Sequence, residues 1–570
     1  MSNLFDQSRR EFLAFMGGSA ACLATVDPAG IFHSAFADKI QGADSQTLVK
    51  PISIKPLPAT TVDDLVTAEG VGSRILIRYN EVLNKAGERF GFNNDFIAFF
   101  PISKNEALLW VNHESPQGAL MMHGNPGSQL GGSKKTAAQV REEQLAVGGS
   151  IIRIVRSQAQ IGKSKQRMAD ESSWIFGGVH RLNRRVSALT PIPFARGIQI
   201  AGSSTAIGTL ANCAGGVTPW GTVLTCEENY AEFYGELEGS HGSDWLRRVK
   251  LPDHHHDWTG QVSMHPWHYG WVVEIDPYSG KARKLVAMGR ASREGATVTV
   301  ARDGRAVVYS GDDHRGGCIF KFVSRKSRDL SEGTLYAADT IRGQWIELSW
   351  DKNPTLRKRF ADQLDVLIHA REAGLAAGAT PLDRPEDIEI HPLTGSVFVA
   401  LTNNPDRGNL HGSLLRIDEE GGNHLSINFQ AQTFLAGGPE TGFSCPDNLV
   451  FDPAGNLFFT TDISFGKLNK GAFKDFGNNG LFVVPSSGTD AGRAIRLASG
   501  PVDAELTGPC FTGDSSTLFL SVQHPGEGAS LENGSVRHTS SWPHGNSGGK
   551  PCPAVVALQN LPVAGARARG

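Results

Sequence analysis

Polar and apolar positions along this chain repeat as one unit: a turn, four or five apolar β-formers, then a polar or charged cluster. Six segments have this form: 107–114 (ALLWVNHE), 221–228 (GTVLTCEE), 306–313 (AVVYSGDD), 396–404 (SVFVALTNN), 456–462 (NLFFTTD) and 517–524 (TLFLSVQH). Four follow an Asp/Pro-Gly-type turn, at 302–304, 391–395, 452–455 and 512–514. Short apolar runs bounded by such turns read as strands. Between them, 270–277, 412–418 and 480–485 read as outer strands and hairpins. Six inner strands with outer hairpins predict an all-β fold, a six-bladed β-propeller. The polar strand ends, near 113, 228, 313, 404, 447 and 524, would then meet at one mouth of a central channel. Two stacked β-sandwiches would scatter them. Short helical insertions interrupt the pattern: 136–145 is rich in charge, and 354–377 carries Leu356, Phe360, Leu364, Leu367 and Ile368 at helical spacing. Both read as covers for the propeller. The run 553–558 (PAVVAL) would pair back to close the ring.

The stretch 212–229 (NCAGGVTPWGTVLTCEEN) adds chemistry. Cys213 lies in a Gly-rich turn, and the strand after it ends on Glu227 and Glu228. Thiolate and carboxylates are anionic and crowd together only around a cation. Alone, the stretch also reads as a hairpin with a buried Cys213 and two solvated acids; acidic ends on several strands strengthen the metal reading.

The first residues carry an export pattern: Arg9-Arg10, Phe12-Leu13, a weakly apolar run to Val26, and a small-x-small site at 35–37. It reads as a twin-arginine signal over 1–37, leaving 38–570 as a single propeller domain with a central metal site. Export of a folded chain suits a protein loaded with its metals beforehand. The product would be periplasmic or extracellular, free of the membrane after cleavage. The remainder holds 53 basic and 55 acidic residues, so no basic field attracts nucleic acid. Six cysteines remain beyond the signal, with no CxxC, and no pairing follows from their spacing. Nothing demands an oligomer, and the chain reads as a monomer.

Other motifs carry less. His254, His255 and His256 form the densest histidine region and read as a solvated loop. The segment 545–549 (GNSGG) matches G-x-S-x-G only in letters, because no strand precedes it.

Together, NHE at 112–114, CAGG at 213–216 with TPWG at 218–221, CEE at 226–228, REGAT at 293–297 and YSGDD at 309–313 form an ordered set. RPE at 384–386, LTNN at 401–404, PD at 446–447 and QHPGE at 523–527 extend it. The set resembles the PhoX-type alkaline phosphatases from Asn93 through 541–543. That resemblance implies a twin-arginine-exported propeller whose iron (Fe3+)–calcium cluster hydrolyses small phosphate monoesters to inorganic phosphate. It makes Cys213 an iron ligand and Glu228 an iron–calcium bridge with a catalytic role. Glu294, Asp313, Glu386 and Asp447 become the other metal carboxylates, the Ala214 carbonyl a further calcium ligand, Arg384 the catalytic phosphate clamp and Asn112 a substrate contact.

The residue types suit these roles. Calcium takes carboxylate and carbonyl oxygens, and a thiolate favours a softer metal. At roughly 4 kcal/mol per pair 4 Å apart, five carboxylates in one mouth repel strongly without cations. Metals bridging a phosphate neutralise it and activate a bound oxygen for in-line attack, while an arginine clamps two phosphate oxygens. Taken singly, Asp312 and Asp313 also fit a capped turn, and Arg384 a surface network with Asp383 or Glu386. Two other functions stay open: a calcium-dependent propeller hydrolase of lactonase type, which has no need of Cys213, and a non-catalytic propeller with structural calcium.

Overall fold

A computed structural model describes residues 55–562, apart from 119, 122–134, 158–172, 239–246, 250–255 and 534. The export pattern, its cleavage site, His254 and His255 lie outside the described residues. No described helix is long and apolar enough to cross a membrane.

Six antiparallel sheets follow one another along the chain and form the blades of a propeller. Their innermost strands are Asn94–Ser103, Asn212–Val217, Arg293–Val300, Pro385–Ile390, Pro446–Phe451 and Glu505–Phe511, in blades I to VI. Each touches the innermost strand of the next blade, and the sixth touches the first, which closes the ring. The six motif-bearing strands of the sequence pattern are second in each blade, one place farther from the axis than expected. Glu106–His113, for example, lies between Asn94–Ser103 and Gly148–Arg156.

Their unbroken apolar runs follow from that place. A second strand is covered on both faces, so both parities of its side chains are buried. Leu108 and Trp110 pack with Val223 and Val273 of blade II, while Leu109 and Val111 pack with Phe519 and Val555 of blade VI. Val307 and Tyr309 meet Val397 and Val399 of blade IV, while Ala306 and Val308 meet Leu224 and Val272 of blade II. Such inter-blade layers make the core.

The ring is closed by strands far apart in sequence. Ala554–Gln559 pairs with Thr517–Gln523 on one side and with Gly72–Arg78 on the other, so an early strand completes the last blade. Val66–Thr67 likewise adds an edge to blade V through Ile495–Ser499. The 136–145 insertion is the helix Ala137–Ala146, started by a Thr136–Gln139 capping box. The second insertion is three short helices, Pro354–Arg359, Gln363–Ile368 and Ala370–Ala377, with breaks at 360–362 and at His369.

One irregularity recurs in every blade. Each innermost strand carries one more residue than its partner at the same depth: Asn212 faces Glu227 but Gly215 faces Thr225, and Pro446 faces Thr461 but Leu449 faces Phe459. The extra residues fall at 95–96, 213–214, 295–296, 386–387, 447–448 and 508–509. A bulge bends its strand and re-aims side chains. Asp95, Cys213, Glu386 and Asp447 occupy the first bulge position of their blades, and Gly508 occupies that position in blade VI. At φ +58°, a Cβ on Gly508 would stand 2.4 Å from the Asp95 carbonyl oxygen. Gly508→Ala should therefore lower stability by about 1–3 kcal/mol, measured by chemical denaturation.

Candidate metal centre

The bulges bring acids of different blades together. Ligand atoms of Glu114, Cys213 and Glu228 lie within 4.8 Å of one another, as do those of Glu228, Glu294 and Asp313, and those of Glu294, Glu386 and Asp447. The three groups share Glu228 and Glu294, so the donors form a continuous chain across blades I to V. Cys213 Sγ donates to Glu294 Oε1 at 3.2 Å. Asp447 hydrogen-bonds with Glu505 of blade VI.

Arg384 precedes the innermost strand of blade IV at φ +54°. Its Nε and Nη2 donate to the two carboxylate oxygens of Asp313 at 2.7 and 2.8 Å. Nη2 also stands 2.9 Å from Glu386 Oε1. The residue before Asp313 is anchored separately: Asp312, buried, accepts from Arg371 Nε of the third insertion helix at 2.6 Å and from the Ser292 backbone at 3.2 Å. The insertion thus fixes the strand end that carries Asp313.

Glu227 points away from the centre. It accepts from Lys284 Nζ at 2.6 Å, both side chains fully buried, and from the Gly270 and Trp271 amides. That leaves Glu228 as the one of the adjacent pair that enters the site.

Asn112 lies behind the centre, with no solvent exposure. Its Nδ2 donates to the Cys213 carbonyl and, at 3.1 Å, to the Ala214 carbonyl. Its Oδ1 accepts from Trp110 Nε1 at 2.6 Å and from Thr225 Oγ1 at 2.7 Å. A side chain so saturated holds the Cys213–Ala214 backbone in place and has no donor left for a substrate. The expected substrate contact is therefore replaced by a supporting role.

Electrostatics follow burial and crowding. Burial pushes the carboxyls of Glu228, Glu294, Glu386 and Asp447 well above the usual range, and their acidic neighbours add to it. Burial likewise raises Asp95 to about 6 and Glu114 to about 7. The Cys213 thiol is pushed well up by burial and by Asp95, Glu294, Glu228 and Glu114. Asp313 is the exception: burial acts upward, but Arg384 holds it below the ordinary value. A thiol and carboxyls raised by one another fit a set of cations, which would remove the repulsion at its source.

Asp95, Glu114, Glu505 and His524 gather at the centre without having been singled out as site residues in the sequence. Glu114 stood in the NHE motif, and the bulge that turns Asp95 inward leaves no mark in local composition. Asn404, at the end of the second strand of blade IV, donates to Asp383, the neighbour of Arg384, at 2.8 Å. His256 pairs with Glu232 at 3.6 Å. The six cysteines within the described residues are free thiols.

The alkaline phosphatase PhoX family model matches residues 54–526. The chain belongs to the PhoX family. The structure of Pseudomonas fluorescens PhoX in complex with vanadate, a transition-state analogue, superposes with TM-score 0.75 at 31% identity, covering 89% of this chain and 98% of that one. A protein of unknown function from Dyadobacter fermentans gives TM-score 0.36 at 10% identity, over 86% of this chain and 99% of that one. The periplasmic gluconolactonase of Pseudomonas aeruginosa gives 0.28 at 11%, over 60% and 76%. Among curated proteins, no sequence matches significantly. As a member of the PhoX family, this chain is a metal-dependent phosphatase that hydrolyses phosphate monoesters.

The raised carboxyls make a pH prediction. Between their ordinary values near 4 and their folded values of about 6, about 7 and higher, the native state binds more protons than the unfolded chain. Their contribution to stability therefore falls as pH rises. Chelated protein should melt at a lower temperature at pH 8 than at pH 5, and added calcium should remove most of that difference, as read by calorimetry.

Proposed function

We infer that the phosphatase works outside the cytoplasm with iron and calcium, on small phosphate monoesters. The observation that carries this reading is the chain of three overlapping donor groups with one thiol at its end. The thiolate of Cys213, with Glu114 and Glu228, suits ferric iron. The all-oxygen groups, Glu228 with Glu294 and Asp313, and Glu294 with Glu386 and Asp447, suit calcium. The Ala214 carbonyl, which follows Cys213 and accepts from Asn112, has a second lone pair to offer a calcium ion. The twin-arginine pattern at 1–37 supports export of the folded chain, with residues 38–570 as the mature protein.

When bound, the ions supply Lewis acidity and an activated oxygen nucleophile for attack at phosphorus. The chain's own residues do the rest. Asp313 and Glu386 hold the Arg384 guanidinium through Nε and Nη2 before substrate arrives, so Nη1 can meet a phosphate oxygen with little reorganisation. Asp313 stays ionised beneath that arginine and keeps it charged. Glu228, shared between two donor groups, spans the thiolate end and the oxygen end of the centre. Asn112 holds the backbone of Cys213 and Ala214 at a fixed height, and Lys284 keeps Glu227 out of the site.

Elemental analysis of the exported protein should find iron together with calcium, and chelation should abolish release of 4-nitrophenol from 4-nitrophenyl phosphate. Cys213→Ser should lose the iron and any thiolate-to-iron colour. Calcium without iron, with activity untouched by that substitution, would favour a calcium-only enzyme. Arg384→Lys should lower kcat/KM about a hundredfold, since a lysine cannot hold the two Asp313 oxygens and still reach a phosphate.

A further inference from the structure

Cys213, Glu294, Glu386 and Asp447 are buried, and the partly exposed side chains around them, Arg384, Asp313, Glu114, Asp462, Glu505, Glu527 and His524, make a rim. A substrate must arrive over that rim. Arg384 and His524 are its cationic side chains, and the phosphatase reading leaves His524 without a task.

His524 follows the second strand of blade VI, with φ at +33°, a left-handed backbone uncommon for a non-glycine residue. Strain of this kind persists where surrounding contacts impose it. The Asp503 carbonyl stands 3.3 Å from Nδ1 and Glu527 Oε2 3.4 Å from it, which fixes the ring. Nε2 faces Glu505 Oε2 at 3.3 Å, and Glu505 is engaged by Asp447. The preceding residue, Gln523, donates to Glu114 Oε2 at 2.7 Å. Blade VI thus places this imidazole between the Glu114 end and the Asp447 end of the donor chain.

The groups facing the ring are Glu505 on the innermost strand of its own blade, Glu527 on the following turn, Asp462 of blade V, and Glu114 and Asp95 of blade I. Burial pushes the imidazole down, but Glu527, Asp462 and Glu114 outweigh it and favour the charged form.

A phosphate monoester leaves behind an alcohol oxygen that needs a proton when the alcohol is aliphatic and needs none when it is a nitrophenol. Arg384 is always charged and cannot supply one. We propose that His524 is the general acid of this phosphatase, passing to the departing alcohol oxygen the Nε2 proton that Glu505 Oε2 faces at 3.3 Å in the free enzyme. As the ester P–O bond breaks, its electron pair stays on the leaving oxygen, which takes that proton. The oxygen of water forms the new bond to phosphorus, and the proton that water releases recharges the imidazole through solvent. The role rests on the phosphatase reading and makes aliphatic monoesters, such as glycerol phosphate, the substrates that depend on the residue.

The test compares metal-loaded wild type, His524→Gln and His524→Gly on glycerol phosphate and on 4-nitrophenyl phosphate. Glycine suits the left-handed backbone, which guards against misfolding. Both variants should lose at least about a hundredfold in kcat on glycerol phosphate and less than about fivefold on the aryl ester. Added imidazole should restore part of the glycerol phosphate rate of His524→Gly. Equal losses on both esters with unchanged metal content, or no loss on either, would overturn the proposal. Wild type that cleaves neither ester when fully loaded would instead overturn the phosphatase reading itself, and the proposal with it.

Discussion

The repulsion among acids buried at the channel mouth is the constraint to which the rest of this molecule answers. Glu228, Glu294, Glu386 and Asp447 would not remain side by side in a flexible loop, where each would turn to water. They stay because each is built on, or directly after, a strand of a blade that an apolar layer fixes to the next blade. The hydrophobic effect that stacks Val307 and Tyr309 on Val397 and Val399 therefore does electrostatic work: it holds acids so close that they either keep their protons or bind cations.

The bulge converts a repetitive scaffold into an asymmetric site. All six blades break register at the same depth, yet the residue placed there is Asp95, Cys213, Gly295, Glu386, Asp447 or Gly508. One backbone device, repeated, presents a carboxylate, a thiol or a bare backbone toward the same axis. The strand ends of the second layer, Glu114, Glu228 and Asp313, complete the set from above. Arg371 and Lys284 act at one remove, by deciding which of two adjacent acids, Asp312 or Asp313, Glu227 or Glu228, faces the metals.

Much of this was legible in the sequence, and the limits have physical reasons. The apolar runs revealed six blades because a strand covered on both faces must be apolar at successive positions. The same property hid which strand was innermost: the true inner strands, such as 385–390 (PEDIEI), carry polar residues and lack the unbroken apolar run that marks the second strands. The acids at the ends of the second strands stood out, since a charge after an apolar run is conspicuous. Asp95 and Glu505 did not, because their meaning comes from a register shift and a closed ring, neither of which is local. The family resemblance made Asn112 a substrate contact; only its packing against Cys213 and Thr225 shows where its hydrogen bonds go.

The ring is closed by residues 72–78 pairing with residues 554–559, and this sets an order in time. This early strand must wait, unpaired, until the last blade has been synthesised. Until then, blade VI has no outer edge and blade I lacks its neighbour, so Glu114 and Glu505 have no fixed distance from the other donors. The centre is thus a product of the finished chain and cannot be assembled piecemeal as blades emerge. Whatever supplies the metals meets either an open arc, with scattered acids, or a completed ring that is ready to be filled.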